Sequence, residues 1–357
     1  MSIEERFGLI KEVGEEILTE EELRELLVQN KHPVAYDGFE PSGTMHIAQG
    51  LLRAINVNKM LSAGCTFTMW VADWFAWANN KLGGDLDKIH VCGEYMIEVW
   101  KACGMDTGKV KFVWVSEKVN DPEYWKIVME VARHSTVQRI LRCSQIMGRS
   151  EKDVLQASQI LYPCMQCADV MYLDVDICQL GMDQRKVNVL ARELGPKLGF
   201  KKPVVVSHHM LMGLGQPPKS DLDSIERATE LKMSKSKPHT AIFMTDTPDM
   251  VREKIMKAYC PVGVTFENPL MEYAKYIIFP KQNTLSLTRP AKFGGDITLP
   301  TYAELEQLYA AGKLHPMDLK TAVAEALVNL LAPVQKHFAS GKPQKLLEQI
   351  RSFDITR

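Results

Sequence analysis

A histidine in the first turn of a helical pattern and two lysines in a polar loop are the first residues in this chain whose types and spacing could do chemistry. Pro41-Ser42-Gly43-Thr44-Met45-His46-Ile47-Ala48-Gln49 reads as a strand end, a glycine turn and a helix with His46 in its first turn. A helix N-terminus offers unpaired N–H groups and a partial positive charge, which suit a phosphate. His46 and Gln49 are three apart, so they share a face and could both donate to triphosphate oxygens. Much later, Lys232-Met233-Ser234-Lys235-Ser236 puts two ammonium groups and two hydroxyls in a polar loop. Lysine is a compact cation well suited to phosphate oxygens. A loop that closes can place such charges on a transition state rather than a ground state. Each segment alone has an ordinary alternative, a structural histidine or a solvated basic loop.

A third segment is Tyr162-Pro163-Cys164-Met165-Gln166-Cys167-Ala168-Asp169. Spacings of four and three place Tyr162, Gln166 and Asp169 on one helical face, with Pro163 predicted at the first helical position. Gly181-Met182-Asp183-Gln184-Arg185-Lys186 follows a strand candidate and opens a helix. Cys164 and Cys167 form a lone CxxC. Without a second pair the reading favours buried packing over zinc or redox chemistry, and no metal site is assigned. His208-His209 reads as a strand end near a nucleotide, not as a metal pair.

The elements that position these residues follow from periodicity. The 357 residues suggest two domains. Two short amphipathic helices are predicted in 1–30, the second capped by Thr19 with Glu22. Residues 34–39, 66–74, 111–116, 172–180 and 203–210 read as strands. Helical patterns lie between them, near 47–61, 83–104, 122–147, 151–172 and 183–199. Alternating strands and helices imply a parallel sheet with crossover helices, hence a doubly wound α/β domain over 31–212. Residues 213–239 are polar and carry no hydrophobic period, which predicts a loop or linker. Segments near 248–259, 268–279, 301–311 and 316–338 predict a mainly α-helical domain over 240–357.

Hydrophobic residues make up 46% and charged residues 24%, with 43 Lys and Arg against 44 Asp and Glu. This excludes a disordered or fibrous chain and a strongly basic nucleic-acid protein, though not a local basic patch. The eight cysteines, sparse and in apolar surroundings, read as reduced thiols in a cytosolic protein. No apolar run reaches membrane-spanning length. The N-terminal MSIEERFGLIKEVGEEILTEEELRELL is too acidic for a transit peptide, so a cytoplasmic location is expected.

The His46 segment followed by KMSKS resembles the paired signature of class I aminoacyl-tRNA synthetases, with Gln49 in place of the second histidine of the HIGH element. Together with Ala35-Tyr36-Asp37-Gly38-Phe39-Glu40-Pro41-Ser42-Gly43, the Tyr162–Asp169 segment and the Gly181–Lys186 segment, the pattern closely resembles tyrosyl-tRNA synthetase of the archaeal and eukaryotic type, over about residues 5–340. The resemblance implies a Rossmann-like catalytic domain followed by an anticodon-binding domain. It implies ATP as a substrate with Mg²⁺, no protein-held metal, L-tyrosine and tRNA(Tyr) as partners, and a homodimer. Carried over by position, Tyr36 and Asp169 bind the phenol, and Tyr162, Gln166 and Gln184 the α-amino group. Gly38, His46, Gln49, Gly181, Lys232, Met233, Ser234, Lys235 and Ser236 bind ATP, with His46, Gln49, Lys232 and Lys235 acting in catalysis. Arg149, Arg185, Lys186, Phe293, His315 and Asp318 meet tRNA. Two alternatives stay open: a tryptophan–tRNA ligase of the same fold, and a non-catalytic RNA-binding or signalling paralogue.

Overall fold

The structure is a computed structural model and describes residues 1–147, 155–222 and 224–353. Its centre is a six-stranded sheet: β1 (Glu16–Leu18), β2 (Val34–Phe39), β3 (Thr66–Val71), β4 (Val110–Trp114), β5 (Ile177–Cys178) and β6 (Val204–Ser207), in the spatial order β1-β6-β5-β2-β3-β4. All neighbours run parallel except β1, which pairs antiparallel with β6. The chain builds from β2 outward through β3 and β4, then returns to build the other way through β5 and β6. The order therefore reverses between β2 and β5, and the crevice at the carboxyl ends there is where such sheets bind ligands.

Side chains alternate across the sheet, and the two faces separate into two cores. Tyr36, Trp70, Cys178 and Val205 pack with the helices Pro122–Arg133, Ala157–Tyr172 and Arg185–Leu194. Ala35, Phe67, Met69, Ile177 and Val206 pack on the other face with Arg53–Ser62 and Leu86–Ala102. That second core continues without a break into the C-terminal half through Met244, Val251 and Leu327. The C-terminal half is mainly helical, with Pro248–Met256, Tyr302–Ala310, Pro316–His337 and Gly341–Ser352, plus an antiparallel hairpin of β7 (Leu285–Leu287) and β8 (Ile297–Leu299).

Local chemistry explains several boundaries. The Thr19 side chain accepts the Glu22 N–H at 3.2 Å and Glu22 returns the bond to the Thr19 N–H, the predicted capping box. The predicted strand 66–74 ends early, at Val71, and Trp74 belongs to the helix Asp73–Ala78. Pro163 lies inside the helix Ala157–Tyr172 rather than at its first position. The polar segment 213–239 contains a helix, Ser224–Leu231. β1 and the β7–β8 hairpin are too short to carry a clear sequence signal, and the last helix, Gly341–Ser352, lies beyond the predicted segments. No helix among the described residues is long and apolar enough to cross a membrane.

Candidate active site

At the topological switch point lies a cavity of about 720 Å³. Every residue assigned above to tyrosine or ATP lines it: Tyr36, Gly38, His46, Gln49, Tyr162, Gln166, Asp169, Gly181, Gln184, Lys232, Met233, Ser234, Lys235 and Ser236. These positions span almost two hundred residues of sequence, and the crossovers of the sheet bring them together.

Tyr36 stands on β2, fully buried, with Thr68 of β3 and Cys178 of β5 as its register partners. The helix Ala157–Tyr172 presents Tyr162, Gln166 and Asp169, all buried. The Tyr162 hydroxyl donates to Glu40 Oε1 at 3.3 Å, and Gln166 Nε2 donates to Gln184 Oε1 at 3.0 Å. Asp169 Oδ1 accepts the Tyr124 hydroxyl at 2.9 Å. Burial drives the Asp169 carboxyl well above the usual carboxylate range, against the Tyr124 and Trp70 side chains, which act to lower it. Burial likewise raises the Tyr36 phenol, with further contributions from Cys178 and Asp169. Among the described residues the Tyr36 hydroxyl has no hydrogen-bond partner. A neutral hydroxyl beside a carboxyl is a pair of matched hydrogen-bonding groups for one ligand oxygen.

His46 is placed differently from its expectation. It precedes the helix and forms an antiparallel bridge with Phe243, while a π-helical turn begins at Ala48. The Ile47 N–H donates to Ile242 O, and the Gln49 N–H to His46 O. The helix start is therefore partly occupied by its own backbone. Gly50 is required here because a Cβ would meet Met244 Sδ at 2.4 Å. Burial, then the nearby Lys235 and Lys232 charges, hold the His46 imidazole down at about 3, so the ring is neutral. Its buried Nδ1 has no hydrogen-bond partner among the described residues.

The KMSKS segment closes over the same space. Lys232 Nζ lies 2.7 Å from Asp183 Oδ2, and Lys235 Nζ donates to Ser42 Oγ at 3.1 Å. Met233 is buried, and its N–H donates to Leu211 O at 2.8 Å. Burial lowers the Lys235 ammonium to about 8, against the Cys92 and Glu40 charges, which act to raise it.

Several cavity residues were not assigned from sequence. Asp37 and Arg53 form a buried ion pair at 2.8 Å, and Arg53 also meets Gln179 and His208. Burial raises the Asp37 carboxyl to about 7, against the Arg53 charge. Glu40 accepts from the fully buried Asn79 at 3.0 Å as well as from Tyr162. Glu40 and Asp183 lay inside segments already singled out, but Tyr124 and Arg53 carry no local signal. His208 and His209 both line the cavity. Cys164 and Cys167 are free and buried among apolar side chains.

The described residues assigned to tRNA are outside this lining. Arg185 Nε pairs with Glu16 Oε2 at 2.6 Å, and Lys186 beside it is half-buried. His315 caps the helix Pro316–His337, its Nδ1 accepting the Met317 N–H at 3.1 Å, and the Asp318 N–H bonds the His315 carbonyl in the same turn. Arg149 and the side chain of Phe293 lie outside the described residues.

A family model described as "tRNA synthetases class I (W and Y)" matches residues 28–332. The cytoplasmic tyrosine–tRNA ligase 1 of Arabidopsis thaliana is 52% identical over 99% of this chain and 90% of its own. The tyrosine–tRNA ligase of Sulfurisphaera tokodaii is 42% identical over 100% of this chain and 99% of its own. The crystal structure of tyrosyl-tRNA synthetase from Pyrococcus horikoshii, complexed with L-tyrosine, superimposes with a TM-score of 0.91 at 40% identity, covering 99% of this chain and 100% of that one. On the strength of the matched sequence and of a switch-point cavity that collects both signature segments, the chain belongs to the class I tRNA synthetases, in the tyrosyl-tRNA synthetase branch.

Proposed function

We infer that the chain is a tyrosine–tRNA ligase, which activates L-tyrosine with ATP and transfers it to the 3′ end of tRNA(Tyr). The observation that carries this is the single cavity in which Tyr36 and Asp169 stand with both signature segments. The test is ATP–pyrophosphate exchange with tyrosine, phenylalanine and tryptophan in turn. Exchange with tyrosine alone is expected; equal exchange with phenylalanine would refute the pocket assignment.

In the first step the tyrosine carboxylate attacks the α-phosphorus of ATP, the bond to the β-phosphate oxygen breaks, and pyrophosphate leaves. No side-chain nucleophile is needed: positioning and charge stabilisation lower the barrier. In this reading Asp169 and the Tyr36 hydroxyl take the substrate phenol. Tyr162, Gln166 and Gln184 hold its ammonium, with Glu40 as the nearest carboxylate behind Tyr162. Neutral His46, with Gln49, donates to the polyphosphate, and Lys232 and Lys235 neutralise charge that grows on it. Gly38 and Gly181 leave room for the nucleotide, and Met233, Ser234 and Ser236 complete the loop. Mg²⁺ accompanies ATP as part of that substrate. In the second step a hydroxyl of the terminal ribose attacks the acyl carbon and AMP departs.

A site that pairs with a hydroxyl rejects the analogue lacking it, because its buried groups are left unpaired. Discrimination of about 10⁵ without editing is the established example for tyrosyl-tRNA synthetases, not a value drawn from this cavity. The tryptophan alternative is not favoured, since two hydrogen-bonding groups converge where an indole offers one N–H.

We read residues 31–212 as the catalytic domain, 1–30 as its N-terminal helical segment, 213–239 as the KMSKS linker and 240–357 as the anticodon-binding domain. In the last, His315 and Asp318 share one exposed helix start, which supports recognition of a splayed base with Phe293 as its stacking partner. Arg149, Arg185 and Lys186 would meet the acceptor end. A homodimer and a cytoplasmic location complete the reading, in keeping with the naming of the plant relatives as cytoplasmic.

A further inference from the structure

The loop that ends in Lys232 is gripped from the C-terminal half of the chain. Arg227, on the helix Ser224–Leu231, uses its whole guanidinium. Nε donates to Glu267 Oε1 at 2.8 Å and Nη2 to Glu267 Oε2 at 2.7 Å, while Nη1 donates to Pro218 O and Glu230 Oε2, each at 2.7 Å. Two parallel N–H···O bonds from one guanidinium to one carboxylate fix orientation as well as distance. The helix runs directly into the signature, since the Lys232 N–H bonds Ala228 O at 3.0 Å. A shift of this helix is a shift of Lys232.

The other arm of the loop is held by the same neighbour. Glu272 Oε2 accepts the Met212 N–H at 2.9 Å, and the Tyr273 hydroxyl donates to Met212 O at 2.9 Å. The two arms meet where Met212 bridges Lys232 and the Gly213 N–H bonds Leu231 O at 2.9 Å. Carboxylates five positions apart, Glu267 and Glu272, thus bracket both arms.

A second observation concerns the backbone that delivers the first carboxylate. Glu267 has φ +49°, in the left-handed region where a glycine is at ease and an L side chain is strained. It is followed by Asn268, fully buried, which caps the helix Pro269–Tyr273 and donates to Val264 O at 2.9 Å. A strained residue is retained where something else fixes its conformation, and such positions gather at functional and switching segments. A glutamate here keeps the strain and gains only the pair with Arg227.

We propose that the Arg227–Glu267 pair is a positioning clasp for tyrosine activation: it fixes the helix entering Lys232 against the C-terminal helical half, and so sets Lys232 and Lys235 at the phosphate end of the cavity. Neither residue touches substrate. The proposal rests on the function inferred above.

The decisive variant is Glu267→Gly, which deletes the carboxylate and also relieves the strained backbone, so loss of folding is not its expected outcome. In the full-length chain, kcat for tyrosine-dependent pyrophosphate exchange should fall about tenfold, as for a modest misplacement of reacting groups. KM for tyrosine and the melting temperature should not worsen. Glu267→Gln should fall in the same direction, and Arg227→Ala combined with Glu267→Gly should be no worse than the poorer single variant, as for residues acting as one unit. Amides of Gly213 and Met233 should exchange hydrogen faster in Glu267→Gly. Unchanged kcat, additive losses, or a parallel fall in tyrosine affinity and melting temperature would each overturn the clasp. Absence of tyrosine-dependent exchange in the unsubstituted chain would instead overturn the function, and the hydrogen-exchange comparison would still decide whether the pair holds the loop.

Discussion

The Tyr124 hydroxyl donates to Asp169 Oδ1 at 2.9 Å and ties the helix Pro122–Arg133 to the helix Ala157–Tyr172 at the buried wall of the cavity. The bond engages one Asp169 oxygen and restrains the carboxyl plane. Tyr124→Phe removes the hydroxyl and little else. We predict a fall of about tenfold in kcat/KM for tyrosine, roughly 1.4 kcal/mol, within the usual worth of one hydrogen bond. Steady-state pyrophosphate exchange measures it; an unchanged kcat/KM would show that Tyr124 does not orient Asp169.

Asp169→Asn keeps the volume and changes the hydrogen-bonding character. The preference for tyrosine over phenylalanine should shrink by about 10- to 100-fold, while tRNA binding by filter retention stays the same. Loss of tRNA binding in step with tyrosine activation would point to a folding defect instead.

Burial puts the Lys235 ammonium at about 8 in the ligand-free enzyme. The charged form is the one suited to polyphosphate, so kcat/KM for ATP should decline as pH rises through about 8, a profile that reports the free enzyme. Lys235→Arg keeps its charge at that pH and should lose this limb, even if its maximum is lower. Identical pH profiles for the two proteins would remove Lys235 from the explanation.

His209 joins three separate parts of the chain. Its ring lies 3.2 Å from Glu15 and 3.0 Å from Glu272, and stacks on Tyr276 with centroids 4.2 Å apart. Burial alone would lower this imidazole; the two carboxylates outweigh it and raise it to about 9. A group raised on folding contributes its full stabilisation below its unfolded value of about 6.5 and loses it as pH climbs through about 9. The contribution is on the order of 3 kcal/mol. Melting temperature should therefore drop between pH 6.5 and 9 more steeply in the unsubstituted chain than in His209→Gln, as differential scanning calorimetry would reveal.

Asp318 lies far in sequence from the tyrosine cavity and is not among its lining residues. Asp318→Ala should raise KM for tRNA in the charging reaction by about tenfold or more, within the ~1–3 kcal/mol of a specific base contact. Tyrosine-dependent pyrophosphate exchange should be untouched. Equal damage to both reactions would place Asp318 in a structural role.

The sequence by itself determined the α/β alternation and the capping box at Thr19, because these depend on local period and on a motif a few residues long, and its resemblance pointed to some of the residues that line the cavity. It misplaced His46, whose pairing with Phe243 is a contact across two hundred positions that leaves no local trace. It gave no sign of the helix Ser224–Leu231, since a helix held by the Arg227 guanidinium needs no long apolar stripe. Nor did it single out Tyr124 or Arg53: a tyrosine on an amphipathic helix and an arginine off the apolar face look ordinary until the sheet brings carboxylates against them. Which carboxylate meets which donor, and hence how far burial moves each proton, is settled only when distant segments share a volume from which water is excluded.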